Sequence, residues 1–312
     1  MAPNGYSAQI DDHAVAGLLA REAGDLLLDL RGRSLAEGVS GWRLQSLGDR
    51  AAHDHLVGRL TELRPDDAVL SEEGADDRSR LGADRTWIID PLDGTQDYPR
   101  VGSTEWAVHV ALVIDGRPVA AAGAGPGHGG PHGPPPSPLP APTPRQRPPV
   151  GASPAPGGPA GGGGAGPGGL VIDGGPVAAA VSVPANGGLY GTLQSPLSTP
   201  IHRERPIVVT SRSQWGHAED VATALGGEVH AFGSAGAKAM AVVSGAADVY
   251  VHPSGLYEWD VCAPAAVAAA AGLDVTGVDG SELVYNKARP VVPGLLISRP
   301  EYTERARAAL RW

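Results

Sequence analysis

The chain has 312 residues, a formal net charge of −10 at pH 7, and 42% hydrophobic but only 4% aromatic side chains. That length holds one large core or two medium domains, and the acidic balance argues against nucleic acid as a partner. The lone Cys262 excludes a disulfide framework within the chain, no run of about 18 apolar residues suggests a membrane span, and residues 1–12 lack a secretory pattern, so a cytoplasmic protein is expected.

Residues 13–32 predict an amphipathic helix, with Val15, Leu18, Leu19, Ala23, Leu26 and Leu27 near helical spacing. Residues 50–63 predict a second, with Leu56, Leu60 and Leu63 on one face and Asp49 placed to cap its start. Residues 69–71 and 87–89 read as short buried strands. Residues 106–114 read as another, because Trp106, Val108, Val110 and Leu112 alternate. Residues 123–169 are nearly all Gly, Pro, Ala and Ser, with only Arg145 and Arg147 charged. Such a stretch buries too little apolar surface to offset its ordering entropy, so a disordered insertion is expected. Its His128 and His132 read as solvated loop histidines.

The insertion has repeated borders. Leu112-Val113-Ile114-Asp115-Gly116-Arg117-Pro118-Val119-Ala120-Ala121-Ala122 returns as Leu170-Val171-Ile172-Asp173-Gly174-Gly175-Pro176-Val177-Ala178-Ala179-Ala180, with ten of eleven positions identical. One copy is enough for a hairpin, continuing into Val181-Ser182-Val183-Pro184 and then Gly188-Leu189-Tyr190. After residue 205 ordinary patterning resumes. Strands are expected at 207–210, 229–232 and 247–251, and helices at 218–225, 237–244 and 260–271, an α/β alternation.

The strand at 87–89 runs into Asp90-Pro91-Leu92-Asp93-Gly94-Thr95. Pro91 stiffens the bend between two carboxylates, which can then face one point with the carbonyl of Leu92 between them. That donor set suits a hard cation. The N–H groups of Gly94 and Thr95 would point into the same space, as at a helix start, where anions are favoured. A cation and a phosphate cradle in one turn indicate metal-assisted phosphoryl chemistry. Asp-Pro and Asp-Gly are also ordinary turn punctuation. Two further acidic elements weigh against that reading: Leu70-Ser71-Glu72-Glu73 closing one strand, and Tyr257-Glu258-Trp259-Asp260 heading an alanine-rich helix.

Together these motifs resemble the inositol monophosphatase superfamily of Mg²⁺-dependent, lithium-sensitive phosphatases, over about residues 10–122 and 205–300. The resemblance implies an α/β fold with an α+β N-terminal part, a layered αβαβα sandwich. Residues 1–122 and 170–204 would form the N-terminal metal-binding domain and residues 205–312 a C-terminal α/β domain, with the site in the cleft between them. Dimers are common in that family, so a homodimer is among the expected assemblies. The implied ligands of two or three Mg²⁺ ions are Glu72, Asp90, Asp93, Asp260 and the carbonyl of Leu92. Spacing does not choose between Glu72 and Glu73; the family pattern selects Glu72. Without cations, four carboxylates in one cleft resist full ionisation. Glu72 and Thr95, with Asp49, would orient and activate a water for in-line attack on a phosphate monoester held by the N–H groups of Gly94 and Thr95. Inhibition by Li⁺ would reflect its taking one Mg²⁺ position.

Gly233-Ser234 followed by Lys238, with Glu258 beside Trp259-Asp260, resembles the CysQ type, the 3′(2′),5′-bisphosphate nucleotidase branch. That makes Gly233, Ser234, Lys238 and Glu258 expected substrate contacts. It makes 3′-phosphoadenosine 5′-phosphate, cleaved to AMP and phosphate, the expected substrate. Two other readings compete: an inositol-1-phosphate or fructose-1,6-bisphosphate phosphatase, and a non-catalytic nucleotide- or metal-binding protein disabled by the insertion. The repeat itself has two candidate origins, a local duplication with insertion or a stretch read out of frame from G+C-rich DNA. A tryptic map of purified protein, with sequencing of the genomic locus, separates them. Recovery of peptides from residues 123–169 is expected for a genuine insertion and ends the frame-error reading.

Overall fold

The computed structural model describes residues 11–114, 117–118, 179–192 and 203–310; the 123–169 insertion, His128, His132 and the second repeat copy up to residue 178 lie outside the described residues. Helix α1 (Asp12–Ala36) starts at Asp11, whose carboxylate accepts the N–H of Ala14 at 2.8 Å. Helix α2 spans Gly41–Leu63, a longer element than expected. Its buried stripe is Leu44, Gly48, Ala52, Leu56 and Leu60, every fourth residue. The expected start at residue 50 is therefore corrected, and Asp49 lies inside the helix and is not its cap. The polar run Gln45, Ser46, Asp49, Arg50 hid the first turns. Gly48 marks a close approach, because a Cβ there would lie 2.7 Å from the Tyr98 ring and 2.9 Å from Leu92.

The first sheet contains β1 (Ala68–Ser71), β2 (Arg85–Asp93), β3 (Ala107–Ile114), β4 (Arg117–Pro118), β5 (Ala179–Val183) and β6 (Gly188–Gly191). Its order is β1-β2-β3-β5-β6, with β4 also on β3. Only β1 and β2 run parallel. Strand β2 is buried almost throughout, as expected for a sheet covered on both faces. The second sheet has the order β11-β13-β9-β7-β8, from β7 (Ile207–Thr210), β8 (Glu228–Ala231), β9 (Val249–His252), β11 (Asp274–Thr276) and β13 (Leu295–Ser298). A short ribbon joins β10 (Leu256–Tyr257) to β12 (Val291–Val292).

Helices α1 and α2 cover the outer face of the first sheet. Helices α4 (Ala235–Val243) and α5 (Glu258–Ala270) lie between the two sheets, and α3 (Trp215–Leu225) and α6 (Pro300–Ala309) cover the far face of the second. This is the αβαβα order. Alanines 263, 265, 266 and 268 are buried in α5, and their small volume lets it contact both sheets. Strands β11, β12 and β13 had no counterpart in the sequence reading, since strands of two to four residues carry too little periodicity, and neither had α6, whose buried face is only Thr303 and Ala306. No described helix is long and apolar enough to cross a membrane.

The repeat resolves into one hairpin edge. Strand β4, from the first copy, pairs with the end of β3 through Val113↔Pro118 and Ile114↔Arg117. Strand β5, from the second copy, pairs with the same edge through Ala111↔Ala179 and Val110↔Ala180. Removing residues 112–169 would place Leu170-Val171-Ile172 at the end of β3, with Asp173-Gly174 as a two-residue turn. Val177 and Ala178 would then oppose the single residue Leu170, a one-residue bulge of the kind sheets accommodate. The expected outcome is a cooperatively folding protein whose melting temperature does not fall. Closing a shorter loop favours it by up to about 3 kcal/mol on the logarithmic length scaling. Loss of a cooperative melt would show that the sheet needs both copies.

Candidate metal centre

In a regular strand, residues three apart face opposite sides. Asp90 pairs with His109 and Asp93 with Ala107, so three steps along β2 match two along β3. The bulge at Pro91-Leu92 turns Asp93 to the face of Asp90. Asp260, in the first turn of α5, completes the group: one oxygen from each of Asp90, Asp93 and Asp260 lies within 4.8 Å of the other two.

Asp93 is fixed from across the molecule. Its Oδ2 accepts from the Ser234 hydroxyl at 2.5 Å and from the Gly236 N–H at 2.7 Å, both at the start of α4. The Ser234 oxygen in turn accepts from Ala237 N at 2.9 Å, capping α4. His109 Nε2 stands 3.2 Å from the same Oδ2, while Nδ1 donates to the Trp259 carbonyl at 3.0 Å. Burial alone would raise the Asp93 carboxyl, but His109, Lys238 and Ser234 bring it down to about 2. Burial opposes the charged form of His109, yet Asp93 and the Trp259 carbonyl raise its pKa. Gly236 is required here, because a Cβ would stand 2.1 Å from His109 Nε2.

The other carboxyls shift the opposite way. Asp90 is wholly buried, its Oδ2 has no hydrogen-bond partner, and burial with the charges of Glu72, Asp93 and Asp260 raises its pKa well above the ordinary range. Asp260 is pushed up to about 7 by burial and by Asp93 and Glu72. Glu72, at the open rim, is raised to about 7 by partial removal from water, against a hydrogen bond with Asp90. Asp49 reaches about 7 by desolvation and the charge of Glu73, with a Thr95 hydrogen bond pulling back. An orphaned buried oxygen among carboxylates that resist ionisation fits a hard divalent cation better than it fits the bare protein.

The turn after the motif is braced from both sides. Gly94 has φ +85°, and a Cβ there would come within 2.4 Å of the Glu105 carbonyl. Its carbonyl accepts from Asp97 N and Tyr98 N at 2.8 and 3.1 Å, a single turn and not the helix start expected from Gly94-Thr95. Thr95 Oγ1 donates to the Leu92 carbonyl at 3.0 Å. The Tyr98 hydroxyl donates to the Leu27 carbonyl at 2.7 Å, and Arg31 lies 5.9 Å from the ring centres of both Tyr98 and Trp106.

The four residues expected as substrate contacts beyond the Gly94-Thr95 turn, Gly233, Ser234, Lys238 and Glu258, all bond within the protein. Lys238 is 2% exposed, and its ammonium donates to the carbonyls of Phe232, Gly233 and Ser234. It braces the loop that holds Asp93 and presents no free charge to a phosphate, although burial lowers its pKa to about 8. Glu258 is fully buried and accepts from Asn286 N at 2.7 Å and Lys287 N at 3.2 Å. Gly233 donates its N–H to Glu105 at 2.7 Å, and a Cβ there would meet Asp97 at 2.1 Å. Cys262 is buried in α5, as expected of a small apolar residue.

Sequence reasoning missed His109 and the group Asp97, Glu105 and Arg212. Arg212 pairs with Asp97 at 3.0 Å and with Glu105, tying the turn after β2 to the segment after β7. The signal for His109 was present, as a histidine inside the apolar run Ala107-Val108-His109-Val110. The Arg212 group carried none, since Arg212 lies more than a hundred residues from both Asp97 and Glu105.

The sequence profile of the inositol monophosphatase family matches residues 11–129 and 169–311. A Mycobacterium leprae protein named 3′-phosphoadenosine 5′-phosphate phosphatase is 36% identical over 303 residues, spanning 95% of this chain and 92% of its own. Among solved structures, inositol monophosphatase II from Staphylococcus aureus superposes with a TM-score of 0.62 at 18% identity, over 95% of this chain and 92% of its own. CysQ from Bacteroides thetaiotaomicron gives 0.60 at 23% identity, over 94% and 99%. At such identities the two structures speak for the fold.

The raised carboxyls have a thermodynamic consequence. Glu72 and Asp260 titrate near 7 in the fold but near 4 in an unfolded chain. Between those values the folded state holds more protons, so stability falls as pH rises through that window. Asp93 runs the other way, its contribution fading only as pH drops toward 2. His109, with its raised pKa, stabilises below about 6.5 and loses that contribution as pH rises through its folded value. In chelator the melting temperature is expected to drop from pH 5 to pH 8, and saturating Mg²⁺ to raise it more at pH 8 than at pH 5. An equal Mg²⁺ effect at both values would remove the carboxylates from the account.

Proposed function

The chain belongs to the inositol monophosphatase family, and from that premise we propose that it is a Mg²⁺-dependent, lithium-sensitive phosphomonoesterase that hydrolyses 3′-phosphoadenosine 5′-phosphate to AMP and phosphate. The observation that carries the proposal is the convergence of Asp90, Asp93 and Asp260 within 4.8 Å, in a chain 36% identical to a relative named for that substrate.

In this reading Asp90, Asp93, Asp260 and Glu72 hold two or three Mg²⁺ ions. When bound, these ions lower the pKa of water and neutralise charge on the departing oxygen. The chain's own groups supply position and proton transfer. Ser234 and Gly236 donate to Asp93 Oδ2, with His109 Nε2 3.2 Å from it, which leaves Oδ1 as the oxygen for a cation. The single Thr95 hydroxyl proton is shared between two acceptors, the Leu92 carbonyl at 3.0 Å and the Asp49 carboxyl. Rotation toward Asp49 releases the Leu92 carbonyl as a further oxygen donor. Asp49, half-buried and hydrogen-bonded to Thr95, is the group we assign to take a proton from the attacking water. Glu72, on the rim beside Asp90, is placed to orient that water. The N–H groups of Gly94 and Thr95 receive the phosphate. Lys238 and Glu258 act from behind, holding the loops that shape the site.

The test is phosphate release by purified protein with Mg²⁺, comparing 3′-phosphoadenosine 5′-phosphate, inositol-1-phosphate and fructose-1,6-bisphosphate, each with and without Li⁺. A preference for the nucleotide is expected, suppressed by Li⁺. Asp93→Asn should lose more than about 100-fold, beyond the 10- to 100-fold typical of outer-shell partners. A preference for inositol-1-phosphate would move the substrate assignment elsewhere in the family, and no release from folded protein would favour a non-catalytic role.

A further inference from the structure

One aromatic feature beside the acidic cluster has no part in the proposed chemistry. Tyr257 and Trp259 stack with ring centres 4.6 Å apart and planes 6° from parallel. Trp259 is partly buried and packs against the main core. Its backbone carbonyl accepts from His109, the residue beside Asp93. Tyr257 is 52% exposed, so Trp259 backs one face of its ring and much of the ring remains open to solvent.

The pair is rigid and close to the reaction site. Tyr257 is held in the β10–β12 ribbon opposite Val291, and its N–H donates to Asp260 Oδ2 at 3.0 Å. Asp260 is one of the three clustered carboxylates. The backbone that carries the platform is thus hydrogen-bonded to a carboxylate of the cation site. A tyrosine ring has two side-chain torsions and loses little entropy on binding, and stacking on Trp259 restricts it before any ligand arrives.

We propose that Tyr257, backed by Trp259, is the platform on which the purine base of a nucleoside 3′-phosphate stacks while its phosphate lies on the acidic cluster. This rests on the phosphomonoesterase reading above and adds the basis of its substrate choice. In a nucleoside 3′-phosphate the base and the 3′-phosphate are separated by one ribose ring. A planar π-surface beside the cation site therefore meets the base when the phosphate is seated. Inositol and fructose phosphates carry no aromatic ring and gain nothing from it. Stacking of this kind tolerates any base, because every base has a π-face, so the platform selects nucleotides from sugar phosphates without selecting adenine from guanine.

The test is calorimetric titration of the Mg²⁺-loaded full chain with a non-hydrolysable 3′-phosphonate of adenosine and, separately, with inorganic phosphate, for wild type, Tyr257→Ala and Tyr257→Phe. Phosphate alone reports the cation-facing part of the site, so the ratio of the two affinities isolates the base. That ratio is expected to fall roughly 5- to 150-fold in Tyr257→Ala, the range of base–aromatic stacking, and to stay within about threefold of wild type in Tyr257→Phe. An unchanged melting temperature checks that Tyr257→Ala folds. An unchanged ratio in Tyr257→Ala overturns the platform, even if wild type hydrolyses 3′-phosphoadenosine 5′-phosphate. A ratio that falls in a protein unable to hydrolyse that compound keeps the platform and overturns the proposed reaction. Absence of binding of the 3′-phosphonate to wild type overturns both.

Discussion

Three carboxylates brought within 4.8 Å of one another in a low-dielectric interior set the constraint on which the rest of this molecule depends. Like charges at that distance cannot all be ionised without compensation, and the structure compensates unevenly. Asp93 is kept charged by donors from Ser234 and Gly236 and by the His109 ring 3.2 Å away. Asp90 has no such help and is driven toward its neutral form. The cluster is therefore asymmetric: one fixed anion, and neighbours whose ionisation a bound cation would favour.

That asymmetry ties the two sheets together. The donors to Asp93 come from the start of α4, which follows the second sheet's β8, whereas Asp90 and Asp93 belong to the first sheet. Asp260 enters from α5, which touches both. Lys238 and Glu258 are polar groups buried far from water, and each is spent on backbone groups of a neighbouring loop. Buried charges persist only when hydrogen-bonded in this way, and here they keep the loops in position for Asp93 and Asp260. Arg212, bridging Asp97 and Glu105, adds a link near the surface.

The repeat at the hairpin illustrates how a sheet absorbs an insertion. Strand β3 has one edge beyond β2, and β4 and β5, drawn from different copies, share it in registers one residue apart. The second copy supplies the longer partner because Val181-Ser182-Val183 follows it and pairs onward with β6. The first copy is followed by Gly123-Ala124-Gly125, which has no side chains suited to a buried strand.

The sequence by itself determined the chemistry of the centre: which acidic residues end regular segments, that their oxygens suit a hard cation, and that apolar strands alternate with helices in the second half. These were legible because they depend on local order, namely strand periodicity, turn residues and motif spacing. Tertiary structure alone decided the rest. The bulge that turns Asp93 onto the face of Asp90 depends on pairing with β3, so no spacing within β2 discloses it. Lys238 looked like a free charge because its three carbonyl partners belong to a loop whose path is set by packing. Asp49 looked like a cap because the turns before it expose polar residues, while Gly48 is buried against Tyr98 and Leu92, which follow it by more than forty residues. His109, Arg212 and the Tyr257–Trp259 stack acquire meaning only from neighbours distant in sequence or from exposure. Sequence records which groups are available; burial and pairing, which are properties of the assembled chain, decide what each one faces.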